Sequence, residues 1–271
     1  MMKRNLIAAL LIVFVLTCAG PASAGWVIDQ VVKKDEKGAA AGNSIQMALQ
    51  ANQMKTTVFE SGKPAFAFIM DLNAQTITQI NYEEKSSTTS TVQEFVQSIK
   101  GMMSSVMKQM EEAMKQVPPE QRKMMEEMMR AQMPKQEDCP EVKTELRKTE
   151  QQETIAGYSA VRYDVLVDGK TTSELWISKE IAAWKEIDPE KLQKFSVEFD
   201  KLAGCSNKTG LASSDPSWKI AAEGFPVRTV MKTGKVTVTE LVKAESKTIP
   251  ASEFQPPAGF TQKTLQEMLH Q

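Results

Sequence analysis

Histidine is almost missing from this chain of 271 residues: His270, beside the C-terminus, is the single one. Chain ends fray, so this absence excludes most histidine-based acid–base chemistry and the usual zinc ligand sets. No phosphate-binding glycine loop or dinucleotide fingerprint occurs. Gly157-Tyr158-Ser159-Ala160-Val161 begins like a nucleophile elbow but lacks the closing glycine and a base. The paired acids Glu111-Glu112 and Glu126-Glu127 stand among lysines, and neighbours on a helix point about 100° apart, which describes a solvated face. Nothing here assembles into a catalytic site, and the chain reads as a non-enzyme. Excess charge is also lacking, with 33 Lys and Arg against 34 Asp and Glu. That balance gives no electrostatic reason to expect nucleic acid or anionic lipid.

Long apolar runs are scarce. Leu6 to Leu16 is shorter than the roughly 20 residues that span a bilayer. Preceded by Lys3 and Arg4 and followed by Ala22-Ser23-Ala24, it has the layout of a secretory signal peptide over residues 1–24. Cleavage after Ala24 leaves a chain starting at Gly25, destined for the periplasm or the medium. A rival reading makes Cys18 a lipidated N-terminus, although Thr17 is an awkward residue just before such a cysteine. Cys139 and Cys205 survive either processing route. In an oxidising compartment the two form a candidate disulfide. Closing the long loop between them contributes on the order of 4 kcal/mol in the chain-entropy model.

What the chain does have is methionine. Ten of its 17 methionines fall between Gly101 and Met133. Thr91-Val92-Gln93-Glu94 is a capping box. Behind it Val92, Val96, Ile99, Met103, Val106, Met110, Ala113 and Val117 form one apolar stripe, predicting a helix that Pro118-Pro119 stops. A second helix is predicted from there to Met133, which makes a methionine-rich hairpin over about 91–133. Around it the pattern is strand-like. Trp26–Lys33, Ser44–Gln50, Met54–Glu60, Ala65–Asp71 and Gln75–Tyr82 predict an antiparallel meander. Val142–Ile155 reads as a polar edge strand, and Val161 to Val167 turns at Asp168-Gly169 into Lys170–Ser178. A helix is predicted over Pro189–Leu202, and Phe225–Lys232 pairs with Lys235–Lys247 in a terminal hairpin. The expectation is an α+β fold: a curved antiparallel sheet, or incomplete β-barrel, covered by the methionine hairpin, in one domain over residues 25–271.

Several of these residues form an ordered set. Asp71-Leu72-Asn73-Ala74, Pro118-Pro119-Glu120-Gln121-Arg122, Ile155-Ala156-Gly157-Tyr158 and Ser173-Glu174-Leu175-Trp176-Ile177 resemble an exported bacterial family catalogued as a domain of unknown function. The stretch Phe254 to Phe260, ending Pro-Pro-Ala-Gly-Phe, is similar to the wider superfamily of periplasmic lipoprotein-localisation carriers. That second resemblance implies an incomplete barrel whose concave face receives acyl chains beneath a helical lid. Neither resemblance carries over a catalytic residue.

The leading functional reading is a carrier or binding module for a lipid, an acyl chain or a lipoprotein. Methionine surfaces adapt to irregular apolar shapes. Phe66, Phe68, Met70 and Trp176, chosen for size and strand position, and Met103, Met110 and Met128 from the hairpin are the candidate ligand contacts. Three other readings remain open: the methionines are simply core, they hold Cu(I) through their thioethers, or the hairpin is an interaction surface. No cofactor and no metal ligand set is assigned. Intact-mass measurement checks the processing. The exported protein is expected at the mass of Gly25 to Gln271, lower by two hydrogens if Cys139 and Cys205 are joined; a mass retaining Met1 overturns the cleavage.

Overall fold

Alternating strands, four pairs of them joined by two-residue turns, build most of the described chain. The structure, a computed structural model, describes residues 24–33, 40–115, 143–200 and 223–269. The first meander comprises β1 (Gly25–Lys33), β2 (Ala40–Gln50), β3 (Gln53–Glu60), β4 (Lys63–Asp71), β5 (Thr76–Asn81) and β6 (Ser86–Thr91). Helix α1 (Val92–Lys115) follows directly. The second meander comprises β7 (Thr144–Ile155), β8 (Tyr158–Val167), β9 (Lys170–Ser178), β10 (Phe225–Met231) and β11 (Thr237–Lys247), with α2 (Pro189–Asp200) between β9 and β10. A two-residue strand, β12 (Thr261–Gln262), and α3 (Leu265–Leu269) end the described chain.

The strands form one large, curved, unclosed sheet in the order β12-β6-β5-β4-β3-β2-β1-β11-β10-β9-β8-β7. Neighbours are antiparallel except β12, which runs parallel to β6. The tight hairpins follow from backbone geometry. Ala51-Asn52, Ser61-Gly62, Ala156-Gly157 and Asp168-Gly169 all have positive φ at both positions, as the two-residue turns that match strand twist require.

Two turns are tied to the helices by a polar knot that uses the Asp71-Leu72-Asn73-Ala74 motif. Asp71 accepts the Asn73 and Ala74 N–H groups, and Leu72 is buried in the main core. Asn73 donates to the Ala51 carbonyl at 2.9 Å, and Asn52 accepts the Asp188 N–H at 2.6 Å. The Asn52 N–H donates to the Glu186 carbonyl. These bonds hold Ala51 in a left-handed conformation that an alanine adopts only at a cost of about 1 kcal/mol or more.

Alternation gives the first meander two covered faces. On the helix face, Ile28, Leu49, Leu72 and Ile77 pack with Val92 and Val96 of α1, Phe195 of α2 and the turn Ala183–Glu186. The opposite face buries Ala48, Ala67, Ile69 and Ile80 beneath Ile249 and Phe254. Those two belong to a strap, residues 248–263, that runs back across the meander. Gln50 bonds both the N–H and the carbonyl of Ile249, Lys55 pairs with Glu253 at 2.7 Å, and Phe260 meets Tyr82 edge-on at 5.6 Å. β12 then adds to β6. We name this the strap face.

The structure adds two elements to those expected and shortens the buried reach of a third. The run Ser86–Thr91, six hydroxyl residues without an apolar signal, is strand β6, and Ser86, Ser87 and Thr88 are buried beneath the strap and α3. Ala251–Phe254 is a 3-10 turn that places Phe254 in the core, and Gln255 after it is extended. The apolar stripe of α1 is not buried along its length. Its first turns pack on β5, β6, α2 and α3, whereas Val106 is 51 % exposed. The second arm of the hairpin, with Met128, lies outside the described residues, as do Cys18, Cys139 and Cys205.

If Phe254 anchors the strap, Phe254→Ala should cost about 3 kcal/mol, as for other buried aromatic truncations. Urea unfolding monitored by tryptophan fluorescence measures it; a loss below about 1 kcal/mol places the anchor elsewhere.

Candidate functional site

The helix face of the first meander is covered at one end only. Where β3, β4 and β5 approach their turns with α1 and α2, Met54, Met70 and Ile77 pack into the main core. Towards the other end the same faces carry Ile45, Val58, Phe66 and Phe68, half-buried or exposed among the described residues. Phe66 and Phe68 occur two residues apart on β4, so alternation puts both rings on this face. They meet edge-on with centroids 4.5 Å apart, and neither belongs to a buried cluster. Phe68 is 40 % exposed, against 0 % for its neighbour Ala67 on the strap face. A phenyl ring left so open in the middle of a long sheet is the clearest apolar contact surface on the described chain.

The sequence-derived contacts therefore separate by place. Phe66, Phe68 and Met70 form one continuous row along β4, with Met70 at its covered end. Met110 is half-buried on α1, while Met102 and Met107 of the same helix are exposed at 39 % and 36 %. Met103 lies within α1, and its side chain is outside the described residues, as is all of Met128. Trp176 is on β9, six strand positions from β4, and borders the main core. It is not in the Phe66–Phe68 row. Ile45 and Val58, which complete that row's surroundings, were not singled out in the sequence; the cross-strand register that puts them there cannot be read from spacing alone.

Trp176 belongs instead to an ionic lattice across the second meander. The Arg228 guanidinium lies over its ring at 5.6 Å. Arg228 also grips Glu153 with two nitrogens and Glu240 at 2.7 Å, and Glu240 accepts Lys33 at 2.7 Å. Beside it Arg162 bonds Asp164 at 2.8 Å and Glu174 at 2.7 Å; Asp164 takes Arg147, and Glu174 takes Lys232. Burial pushes the Asp164 and Glu240 carboxyls up, but the bonds and charges of their cationic partners outweigh it and hold both below their ordinary values. Tyr163, on β8, is pushed up to about 12, first by burial and then by the bond it donates to Glu223. These shifts serve ion pairs spread over a sheet, and a phenol held this firmly protonated is no base.

The sequence model of a domain of unknown function, DUF4412, matches residues 90–260. Among solved structures, PNGF-II is similar at 11 % identity and a TM-score of 0.40, over 92 % of this chain and 33 % of that one. This chain thus spans about a third of that protein's length. The MucA/MucB complex of Pseudomonas aeruginosa is similar at 9 % identity and 0.36, over 88 % of this chain and 57 % of that one. A LolA superfamily protein of Nitrosomonas europaea, NE2245, follows at 9 % and 0.29, over 87 % and 91 %. Superpositions this loose transfer no binding partner. No curated protein matches the sequence.

The lattice fixes the sign of the acid response. Carboxyls whose folded values are depressed add stability above their unfolded values, about 4, and lose it as pH falls through the folded ones. Arg162→Met, which strips a cation from both Asp164 and Glu174, should cost about 3 kcal/mol at pH 7. The difference from the parent should shrink by pH 3, where urea unfolding at both pH values reads it; an equal cost at both assigns the arginine a packing role.

Proposed function

The chain belongs to the DUF4412 family, and from that premise we propose that it is an exported, non-enzymatic binding or carrier module for an apolar ligand. The ligand is a lipid, an acyl chain or the acylated end of a lipoprotein. The observation that carries this reading is the Phe66–Phe68 pair, left open on a sheet face whose other end and opposite side are both covered. Burying a phenyl ring gains about 2 kcal/mol, so a soluble fold that leaves two together on its surface supports a partner that covers them.

Met70 leads from this row into the core, and the exposed Met102, Val106 and Met107 of α1 provide further apolar surface. In this reading Met103, Met110 and Met128 contribute to the same adaptable boundary, since an unbranched thioether side chain conforms to chains of different length. Trp176 contributes from β9 to the wall of the core and does not touch the chain lying on β4. Export fits a leader over residues 1–24 and a bridge between Cys139 and Cys205. Among the described residues no helix is long and apolar enough to cross a membrane.

Native mass spectrometry with lipid extraction, on protein isolated from the periplasm without detergent, tests the reading. A co-purifying lipid or acylated peptide is expected. Phe68→Glu, at a position already 40 % exposed, should fold normally and lower ligand occupancy by roughly ten-fold or more. A clean apo mass for the parent, together with no binding of added acyl chains, sinks the proposal.

A further inference from the structure

The open helix face of the first meander is graded in chemistry across its strands. Register aligns Ile45, Val58, Phe66 and Asn81 in one rung across β2, β3, β4 and β5, and Met47, Thr56, Phe68 and Gln79 in the next. Each rung thus starts apolar on β2, carries a phenyl ring on β4 and ends in an amide on β5, with the Thr56 hydroxyl in the second. Ionisable groups stand only at its margins: Glu84 and Lys263 pair at 2.9 Å, and Glu84 accepts the hydroxyl of Ser86, the register partner of Asn81. β2, β5 and β6 contain none. On β3 and β4, Lys55 points to the strap face and bonds Glu253, and Glu60, Lys63 and Asp71 stand at strand ends. The second meander, by contrast, carries the lattice of Arg147, Arg162, Asp164, Glu174, Arg228 and Glu240.

The amides at the edge of this face have spare capacity. Asn81 uses its Oδ1 to accept the Glu84 N–H at 3.1 Å, and its Nδ2 has no partner among the described residues. Among the described residues neither the Gln79 amide nor the Thr56 hydroxyl has a hydrogen-bond partner, although both residues are half-buried. Half-buried polar groups without protein partners are completed by water or by a ligand.

We infer that the ligand is an amphiphile with an uncharged, hydrogen-bonding head such as a hydroxyl, ester or amide; the inference rests on the apolar-ligand reading above. The chain lies over Ile45, Val58, Phe66 and Phe68, and the head meets Gln79 and Asn81. The charges nearest to Asn81, Glu84 and Lys263, pair with each other, so a carboxylate or ammonium head would compete with that pair while being desolvated, which costs far more than desolvating a hydroxyl.

Three probes of equal chain length test this on the mature protein by calorimetry at pH 7.5, below their micelle concentrations. They are monolauroylglycerol, laurate and dodecyltrimethylammonium. Monolauroylglycerol is expected to bind at least roughly ten-fold more tightly than either ion. Equal binding of all three overturns the assignment of the head while leaving the carrier reading intact, and tighter binding of an ion overturns it likewise. No binding by any of them overturns both. Gln79→Lys supplies the missing charge and should turn the preference towards laurate. An unchanged ranking in a variant with parental thermal stability rejects Gln79 as the residue that meets the head.

Discussion

The pairing of β1 with β11 is the constraint on which the rest of this molecule depends. It runs from Gly25 opposite Lys247 to Lys33 opposite Val238, the longest-range ladder in the sheet. Without it there are two separate meanders, each with an exposed edge and half a core. With it, Ile28 and Leu49 of one meander share a buried cluster with Val227 and Leu241 of the other. The ladder also places Lys33 beside Glu240, which joins the ionic lattice to the first meander. Closing so long a loop is entropically slow, so the local hairpins must form first and present ready-made edges.

Local chemistry made those hairpins legible in the sequence. Asp168-Gly169 marked its turn, and alternation marked β4 and β8, because period and turn geometry are properties of neighbouring residues. The polar edge strand β7 and the capping box of α1 were legible for the same reason; Glu94 does accept the Thr91 N–H at 2.8 Å. Strand β6 was not. Its six hydroxyl residues carry no hydrophobic period, and they are a strand only because β5 on one side and the strap on the other complete their hydrogen bonds. Long-range closure decides that assignment, and propensity does not.

The candidate site divides in the same way. Phe66, Phe68 and Met70 were identifiable as a row because they occur at alternate positions of one strand. Their relation to Trp176 depends on how many strands intervene, and the number is set by the β1–β11 junction. The polar motifs that the structure describes have structural work. Asp71-Leu72-Asn73-Ala74 knots two turns to the α2 segment, Tyr158 reaches the Ala244 carbonyl at 3.1 Å, and Glu174 pairs with two cations. A motif of this kind looks like a site in sequence because it is polar and placed at turns. In the structure its hydrogen bonds are already used.

The two halves of the sheet also differ in how they are held, and that difference argues for where the ligand proposed above would sit. In the second meander half-buried charges bind one another across strands, so each strand is locked to its neighbours by directional bonds. A ligand displacing any of them leaves an unpaired charge behind. In the first meander the strap fastens one face through Phe254 and the Lys55–Glu253 pair, and the other face is held only where the helices reach it. Its open end is therefore stabilised from behind. The strap contacts that hold this backbone do not involve Phe66 or Phe68, as the proposed uptake and release of an apolar guest requires.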